Sequence, residues 1–363
     1  MLPAALRLAA FGVLSLVVGA GLPVANGVET PAARAAPTRP AAPAPLPGTR
    51  INGLDYVSVA DVAKRLGLKF EWLEPGRKVA LSDAANRATL EADGREVAVN
   101  GLRIFLGEPA RARGGQLFVS RIDAERCLTP LLKPGFGVAP LPPPKIIAID
   151  PGHGGRFAGT ENVQLRLQEK DLALDVSLRL KKLLEAAGYQ IVMTRTKDVE
   201  LAPSRDTDVA LRGEIANRGG ADLFVSIHFN SLPDDTKTSG SEIYTFAPQH
   251  QRSSNSWGNG KNDAEATPSP VNRFDHWSVV LAQAVHRNVL STLKTFDRGK
   301  KINQLGALRR LECPGVLIES AFLSNDAEAR RVATPAFRQQ IAEAIATGVQ
   351  DYAATLGALR PKP

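Results

Sequence analysis

From Lys145 to the C-terminus, short apolar runs alternate with amphipathic segments. The apolar runs have the length of strands, and they read KIIAID, YQIVMTR, DLFVSIHFN, SEIYTFA and PGVLIES. Apolar residues recur at helical spacing over residues 169–187, 207–217, 275–291 and 335–355. This alternation predicts an α/β fold with a mostly parallel central sheet and helices on both faces. In such sheets ligands bind at the carboxyl ends of the strands.

Proline-rich segments divide the rest of the chain. Residues 26–50 include ETPAARAAPTRPAAPAPLPG, which predicts an extended linker. Residues 133–144, KPGFGVAPLPPP, contain three consecutive prolines, which cannot join a helix or a central strand and therefore predict a stiff connector. Between them, residues 51–132 carry short strand patterns and one helical pattern, which predict a small α+β domain. Residues 51–132 contain no histidine and no clustered carboxylates, so the alternating segment, residues 145–357, is the candidate for a catalytic domain.

The N-terminus carries an export signal. Arg7 precedes the apolar run LAAFGVLSLVVGAGLPVA, and small residues follow that suit a signal peptidase. Residues 1–25 are therefore predicted to be a signal peptide, or a membrane tether if they are not cleaved. Export places the protein in the periplasm or cell envelope. The net charge of +8 favours an anionic partner, while the aromatic content of 6% argues against nucleic acid.

Two histidines stand at strand ends in the C-terminal segment. His153 follows the first strand in a glycine-rich turn, and His228 lies near the end of DLFVSIHFN. Glu169 begins an amphipathic helix between them. Two neutral imidazoles and one carboxylate predict a catalytic zinc site with a fourth position for water. Each residue alone also fits a structural role, such as a turn, a helix start or a half-buried histidine, so the prediction rests on the three together.

Glu319 closes the apolar strand PGVLIES, where a carboxylate without a partner is costly. Near a metal-activated water it would serve as the general base, and the alternative is a strand-end glutamate in a salt bridge. His250, His276 and His286 lie outside the strand ends, and exposed positions are expected for them. Two cysteines, at positions 127 and 313, fit either a single disulfide or two buried thiols.

Taken in order, these motifs resemble the zinc-dependent type 3 family of N-acetylmuramoyl-L-alanine amidases. The resemblance covers residues 145–356 and rests on IDPGHGG, EKDLxL, GYxIVMTR, RxxxAN, ADLFVSIHFNS and PGVLIESAFLSN. It implies hydrolysis of the amide between N-acetylmuramic acid and the first L-alanine of the peptidoglycan stem. It also implies that His153, Glu169 and His228 bind zinc and that Glu319 is the catalytic glutamate.

The chain departs from the family pattern in two places. The family usually follows GHGG with Asp-x-Gly-Ala, whereas this chain has RFAGTENVQLRLQEKD, which makes Glu161 an alternative ligand to Glu169. Only Glu169 is followed by KDLAL. A polar insertion at residues 247–274 predicts a mobile loop that gates the site or responds to an activator protein. Arg212 and Asn217, in the RxxxAN element, are expected to be structural.

The N-terminal segment resembles the stalk-type domain found at the N-terminus of some copper amine oxidases. The resemblance rests on the YVSVADVA start and the later AxLxxxGxxVxVNG. It implies a spacer or a wall-binding module. It does not imply copper chemistry, because the four tyrosines stand in DYV, GYQ, IYT and DYA rather than in the Asn-Tyr-Asp/Glu context of the oxidase cofactor.

Two rival functions follow from the same residues. A zinc peptidase could use a similar zinc exopeptidase-like layer fold and similar ligands, but two-metal peptidases need further Asp, Glu or His ligands, and none stands at a motif position. A catalytically inactive wall-binding protein would have lost a ligand or Glu319, and all four residues are present.

Overall fold

The computed structural model describes residues 44–232, 234–256 and 262–360. The predicted export signal and most of the predicted linker lie outside these ranges. None of the helices in the described ranges is both long enough and apolar enough to cross a membrane.

The N-terminal part is built mostly from short antiparallel strands, with a few short helices. Its strands are β1 (Gly48–Ile51), β2 (Leu54–Ser58), β3 (Lys69–Glu74), β4 (Lys78–Ser82), β5 (Arg87–Glu91), β6 (Glu96–Val99), β7 (Leu102–Phe105), β8 (Arg111–Arg113) and β9 (Gln116–Ser120). Its helices are α1 (Val59–Leu66), α2 (Arg121–Asp123) and α3 (Thr129–Leu132). Gly67 ends α1 in the left-handed conformation, which glycine adopts readily.

The C-terminal part alternates strands and helices as its apolar pattern predicts. Its strands are β10 (Ile146–Pro151), β11 (Glu161–Asn162), β12 (Leu167–Gln168), β13 (Gln190–Met193), β14 (Leu223–Asn230), β15 (Ser241–Phe246), β16 (Asp297–Asn303) and β17 (Gly315–Phe322). Its helices are α4 (Glu169–Ala186), α5 (Arg205–Arg218), α6 (Asp275–Leu293), α7 (Gly306–Arg309), α8 (Asp326–Ala333) and α9 (Pro335–Leu359).

The central sheet is mixed, with a parallel majority in the C-terminal part. Strands β13, β10, β14 and β17 lie side by side and are parallel. Next to them, β15 is antiparallel to β17, and β16 is parallel to β15. The parallel strands bring the carboxyl ends of β10, β14 and β17 to one edge of the sheet, which is where the sequence places His153, His228 and Glu319.

Helices cover both faces of this sheet. Leu223, Val225 and Ile227 point from one face of β14 into a core shared with α4, α6 and α9. Phe224, between them, points to the opposite face and packs against residues of α5 and α7. Alternate residues of β14 therefore contribute to two separate hydrophobic cores.

The two parts of the chain share one sheet of eleven strands. Strand β16 pairs with β7 through Lys300 and Ile104, and the sheet continues from β7 through β6, β5 and β4 to β3. The proline-rich connector lies against both cores, because Phe136 packs on the N-terminal core and Leu141 on the C-terminal one. The boundaries predicted at residues 51–132 and 145–357 stay predictions, but the two segments are joined by strand pairing as well as by the connector.

The expectation that His276 and His286 are exposed is wrong. Both are buried, at 5% and 1% relative exposure, because α6 is packed between α9, the sheet and the N-terminal core. The Nε2 atom of His276 lies 2.7 Å from the carbonyl oxygen of Pro134, and that of His286 lies 2.7 Å from Asp297. Both histidines therefore satisfy polar groups inside the fold. His250 is exposed as predicted.

Both cysteines are buried thiols in the structure, and no disulfide joins them. Burial raises the pKa of the Cys127 thiol to about 11, which keeps it protonated at neutral pH. Of the two alternatives that the sequence allows, the structure has the buried thiols.

Candidate metal centre and active site

An open cleft of about 890 Å³ lies over the carboxyl ends of β10, β14 and β17. All four residues that the sequence singles out line it. His228 and Glu319 are direct partners across the β14 and β17 pairing, so their side chains leave the sheet on the same face. The lining is His153, Phe157, Gly159, Thr160, Glu169, Arg205, His228, Phe229, Asn230, Ser231, Leu232, Glu242, Tyr244, Asn255, Arg298, Lys301, Asn303, Leu305, Leu317, Glu319 and Phe322.

His153, Glu169 and His228 form one cluster at the floor of this cleft. The Nε2 atom of His153 lies 3.1 Å from Oε2 of Glu169, and Nδ1 of His228 lies 2.8 Å from Oε1. One ligand atom from each of the three residues lies within 4.8 Å of the others. A compact set of two imidazoles and a carboxylate fits the donor set of a catalytic zinc site.

The Glu169 carboxylate is held in place by backbone donors. It begins α4 and is buried, and it accepts hydrogen bonds from the backbone N–H of Thr160 at 2.8 Å and of Phe229 at 3.1 Å. Burial alone would raise its pKa, but hydrogen bonds with His153 and His228 outweigh burial and hold the pKa of Glu169 well below its usual range. The carboxylate is therefore charged and fixed in orientation at neutral pH.

Close packing around the cluster explains the glycines of the motif. A Cβ atom at Gly152 would lie 2.5 Å from Nε2 of His228. Gly159 has φ +74°, and a Cβ atom there would lie 2.5 Å from Oε2 of Glu169. His153 itself has φ 62°, a conformation that costs free energy for a residue other than glycine. The turn therefore requires small residues wherever it passes the two histidines and the glutamate.

Arg212 holds the turn that carries His153. Its buried guanidinium donates to Asp150 at 2.8 Å and to Asp208 at 2.7 Å, and also to the carbonyl oxygens of Pro151 and His153, both at 2.8 Å. Burial would raise the pKa of Asp150, but the Arg212 charge and the hydrogen bonds from Ser226 and Thr194 together outweigh burial and lower that pKa. The structure agrees with the structural role expected for Arg212.

Asn217 has a similar structural role near the C-terminal end of α5. Its side chain donates to the carbonyl oxygen of Arg310 at 2.7 Å and accepts from the N–H of Glu312 at 2.9 Å.

Sequence reasoning missed Arg195, which donates to the carbonyl oxygens of Pro151, Gly152 and Lys170. The GYxIVMTR motif ends on this arginine, and that position is the sequence feature from which its role could have been predicted.

Glu319 is not the partner of a salt bridge in the described part of the chain. Its Oε2 atom is buried without a hydrogen-bond partner there. Burial raises the pKa of Glu319, and the negative charges of Glu169 and Glu242 raise it further. A buried carboxyl oxygen that faces a cleft without a partner is a candidate for proton transfer rather than for structural support.

The alternative ligand, Glu161, lies outside the cluster. It is exposed in β11 and pairs with Gln168 of β12, whose amide donates to it at 3.1 Å. The stretch that departs from the family pattern therefore forms a small hairpin. Asn162 anchors this hairpin by donating to the carbonyl oxygen of Leu323 at 2.9 Å and to Asp326 at 3.1 Å.

A second charged group in the cleft was missed from the sequence. Glu242 of β15 is buried directly opposite Glu319 in the β15 and β17 pairing. Its carboxylate accepts from Asn230 at 2.6 Å and from the Tyr244 hydroxyl at 2.7 Å, and it forms ion pairs with two cations. These cations are Lys301 and Arg298, both from β16. A glutamate inside the otherwise apolar SEIYTFA run was the available signal.

The described part of the 247–274 insertion reaches the cleft and is tied to the rest of the fold. Asn255 lines the cleft, and its amide lies 3.5 Å from the Tyr244 hydroxyl. Gln251 donates to Asp123 of the N-terminal part at 2.9 Å, and Glu265 is ion-paired with Arg309. Residues 257–261 lie outside the described ranges, and gating by the loop stays a prediction.

Comparison with known proteins gives matches to both parts. Residues 147–351 match the N-acetylmuramoyl-L-alanine amidase family, and residues 43–122 match the copper amine oxidase N-terminal domain family. The germination-specific N-acetylmuramoyl-L-alanine amidase of Bacillus subtilis is 30% identical over 216 residues, which cover 57% of this chain and 79% of that protein. A cell wall amidase of Bacillus anthracis is 31% identical over 210 residues, which cover 57% of this chain and 35% of that protein.

Parts of this chain are also similar to solved structures. The crystal structure of the N-acetylmuramoyl-L-alanine amidase of Clostridium difficile 630 is 30% identical, with a TM-score of 0.47 over 58% of this chain and 97% of that one. The CwlD amidase of Clostridioides difficile, solved in complex with the GerS lipoprotein, is 26% identical, with a TM-score of 0.47 over 58% of this chain and 99% of that one.

The family match is longer than half of the chain, and it includes the three residues of the cluster and the neighbouring Glu319. The chain spans about a third of one of the curated relatives above and about four fifths of the other. This protein therefore belongs to the N-acetylmuramoyl-L-alanine amidase family.

Proposed function

We propose that this protein hydrolyses the amide bond between N-acetylmuramic acid and the first L-alanine of peptidoglycan stem peptides, with a zinc ion bound by His153, Glu169 and His228. The observation that carries the proposal is a cluster of three ligand atoms within 4.8 Å of one another, in the same cleft as the unpartnered carboxyl oxygen of Glu319. Membership of the amidase family supports the choice of bond.

The residues of the cluster have separate tasks in this chemistry. His153, Glu169 and His228 bind the metal, which when bound supplies Lewis-acid activation of water and of the scissile carbonyl. Glu319 accepts a proton from the attacking water and delivers it to the nitrogen of the departing L-alanine. Its raised pKa suits a carboxyl group that must hold this proton between the two transfers.

The surroundings keep these groups in position. Thr160 and Phe229 fix the Glu169 carboxylate through their backbone N–H groups. Arg212 fixes the backbone of His153 through its carbonyl oxygen. Because ligands and their supports come from strand ends and helix starts, little reorganisation is needed when substrate binds.

The proposal extends to the fold, the location and the partners. A zinc exopeptidase-like layer arrangement is supported by parallel strands with helices on both faces and with the candidate ligands at their carboxyl ends. Export to the periplasm or cell envelope is supported by a relative described as a cell wall amidase and by the predicted signal in residues 1–25. Response to an activator protein is supported by Asn255, which brings the 247–274 insertion into the cleft lining.

The test is digestion of intact peptidoglycan by the purified protein, loaded with zinc, treated with chelator, or carrying Glu319→Gln. We expect stem peptides with a free L-alanine amino terminus, lost on chelation and restored by zinc. Glu319→Gln should lower the rate at least about 100-fold while zinc content stays at that of the wild type. Peptides cut within the stem would indicate a peptidase instead, and zinc binding without any release would contradict the proposed activity.

A further inference from the structure

We propose that Arg298 binds a carboxylate of the stem peptide and makes the enzyme selective for peptides that carry a free carboxylate on their second residue. This inference rests on the proposed amidase function and assigns a specificity-determining residue to the same cleft. It starts from two cations of β16, Arg298 and Lys301, which line the cleft together with the His153, Glu169 and His228 cluster.

The Arg298 guanidinium is held on two sides. Its Nε atom faces Glu242 at 3.4 Å, and its Cζ atom lies 4.9 Å from the ring centroid of Phe322. The remaining hydrogen-bonding needs of Glu242 are met by Lys301, Asn230 and Tyr244. The arginine is therefore positioned, but it is not required to complete the shell of the buried carboxylate.

The two terminal amino groups of Arg298 donate to no residue in the described ranges. The side chain is 27% exposed and belongs to the cleft lining. Two parallel N–H donors on a planar, permanently charged group match the two oxygens of a carboxylate. Lys301 is different, because its ammonium is already engaged by Glu242. Of the two β16 cations, Arg298 is therefore the one whose terminal N–H groups can bind a ligand.

The position of Arg298 selects the residue of the stem that it reaches. Arg298 stands on β16 and Glu319 on β17, with β15 between them. Two strand spacings are roughly 10 Å, which corresponds to two or three residues of an extended peptide. With the scissile amide at Glu319 and L-alanine as the first residue, a carboxylate on the second residue falls within reach of the arginine.

The charge and donors of Arg298 favour an anionic group at this place. Lys301 forms its ion pair with Glu242, whereas the terminal N–H groups of Arg298 have no carboxylate partner in the described ranges. A peptide carboxylate would therefore meet these donors in a partly desolvated wall of the cleft. A carboxamide at the same position would leave the arginine charge uncompensated, which disfavours its binding.

The test uses two muropeptides that differ only at the second stem residue, which is D-isoglutamate with a free carboxylate or D-isoglutamine with a carboxamide. We measure kcat/KM for zinc-loaded wild type, Arg298→Gln, Arg298→Lys and the control Arg287→Gln. Arg287 carries the same charge but sits on α6 in an exposed ion pair with Asp351. Binding of the matching free dipeptides is measured by calorimetry on the same proteins.

Wild type should prefer the carboxylate substrate, and Arg298→Gln should lower kcat/KM for it about 10-fold to 100-fold while changing the carboxamide substrate less than about threefold. The kcat/KM of Arg298→Lys for the carboxylate substrate should lie between the values of wild type and Arg298→Gln, because lysine keeps the charge and loses the paired donors. Arg287→Gln should behave as wild type.

Equal loss on both substrates in Arg298→Gln, or no preference in wild type, would overturn the inference. The binding arm separates this result from failure of the proposed function. If the dipeptide preference depends on Arg298 but no muropeptide is cleaved, the carboxylate site stands and the amidase proposal falls. If cleavage occurs without any preference, only the carboxylate site falls.

Discussion

Replacing Arg212 by leucine should destabilise the protein severely although the residue touches no substrate. Arg212 is 2% exposed, and its guanidinium lies between the carboxylates of Asp150 and Asp208. Leucine would leave both carboxylates buried without this cation and would remove one donor from each of the carbonyl oxygens of Pro151 and His153. Removing one partner of a buried ion pair costs about 3–5 kcal/mol. That is between about a fifth and the whole of the roughly 5–15 kcal/mol by which a typical domain is stable.

The measurement is urea unfolding followed by far-UV circular dichroism. The control is Arg287→Leu, which breaks an exposed ion pair with Asp351 and should cost less than about 1 kcal/mol. The pH dependence gives a second check. The pKa of Asp150 is lowered in the folded wild type, so its contribution to stability is present above about pH 4 and is lost as pH falls below that value.

In Arg212→Leu, Asp150 loses its cation and protonates more readily. The difference in stability between wild type and variant should therefore shrink as pH falls from 7 toward 4. A difference below about 1 kcal/mol at pH 7, or one that matches the Arg287→Leu control, would refute the role given to Arg212.

Three further predictions concern the cluster and the core. Gly152→Ala should lower zinc affinity about 10-fold or more in a competition titration with a chelator, because the added methyl group meets the His228 ring; unchanged affinity would refute this packing argument. Glu169→Gln should lose zinc whereas Glu161→Gln should keep it, which metal analysis can check; the reverse would reassign the ligand. Burial raises the pKa of Asp275 to about 7, so the free energy of unfolding should decrease as pH rises from about 4 to 7. Asp275→Asn should remove that decrease in unfolding titrations, and an equal decrease in the variant would contradict this prediction.

The parts of the fold that the sequence predicted are those with a simple pattern. The four long helices of the C-terminal part and the strands β10, β14 and β17 carry uninterrupted apolar periodicity, and each was predicted within a few residues. Strand β16 was missed because its sequence, DRGKKIN, has no apolar alternation. Lys300 is buried where β16 joins β7, and Lys301 lines the cleft. The positions of these two lysines are explained by the neighbours of β16 in the assembled sheet, which the local sequence does not show.

The candidate site was predictable to a similar degree. His153, Glu169, His228 and Glu319 stand in motifs at strand ends and a helix start, and the structure brings all four to one cleft. The supporting groups were less visible, because an arginine that binds backbone carbonyl oxygens has no local pattern. The histidines of α6 were misjudged for a related reason. Their burial depends on the N-terminal core, which covers the helix from a distant part of the sequence.

The measurement that tests the central claim most directly is digestion of peptidoglycan in water enriched in oxygen-18, followed by mass analysis of both products. Hydrolysis of the proposed amide adds the heavy oxygen to the lactyl carboxyl group of muramic acid and leaves the L-alanine end of the peptide unlabelled. We predict one labelled oxygen on the muramic acid product, with zinc bound and Glu319 intact. Label in a peptide carboxyl group, with muramic acid still joined to L-alanine, would contradict the account.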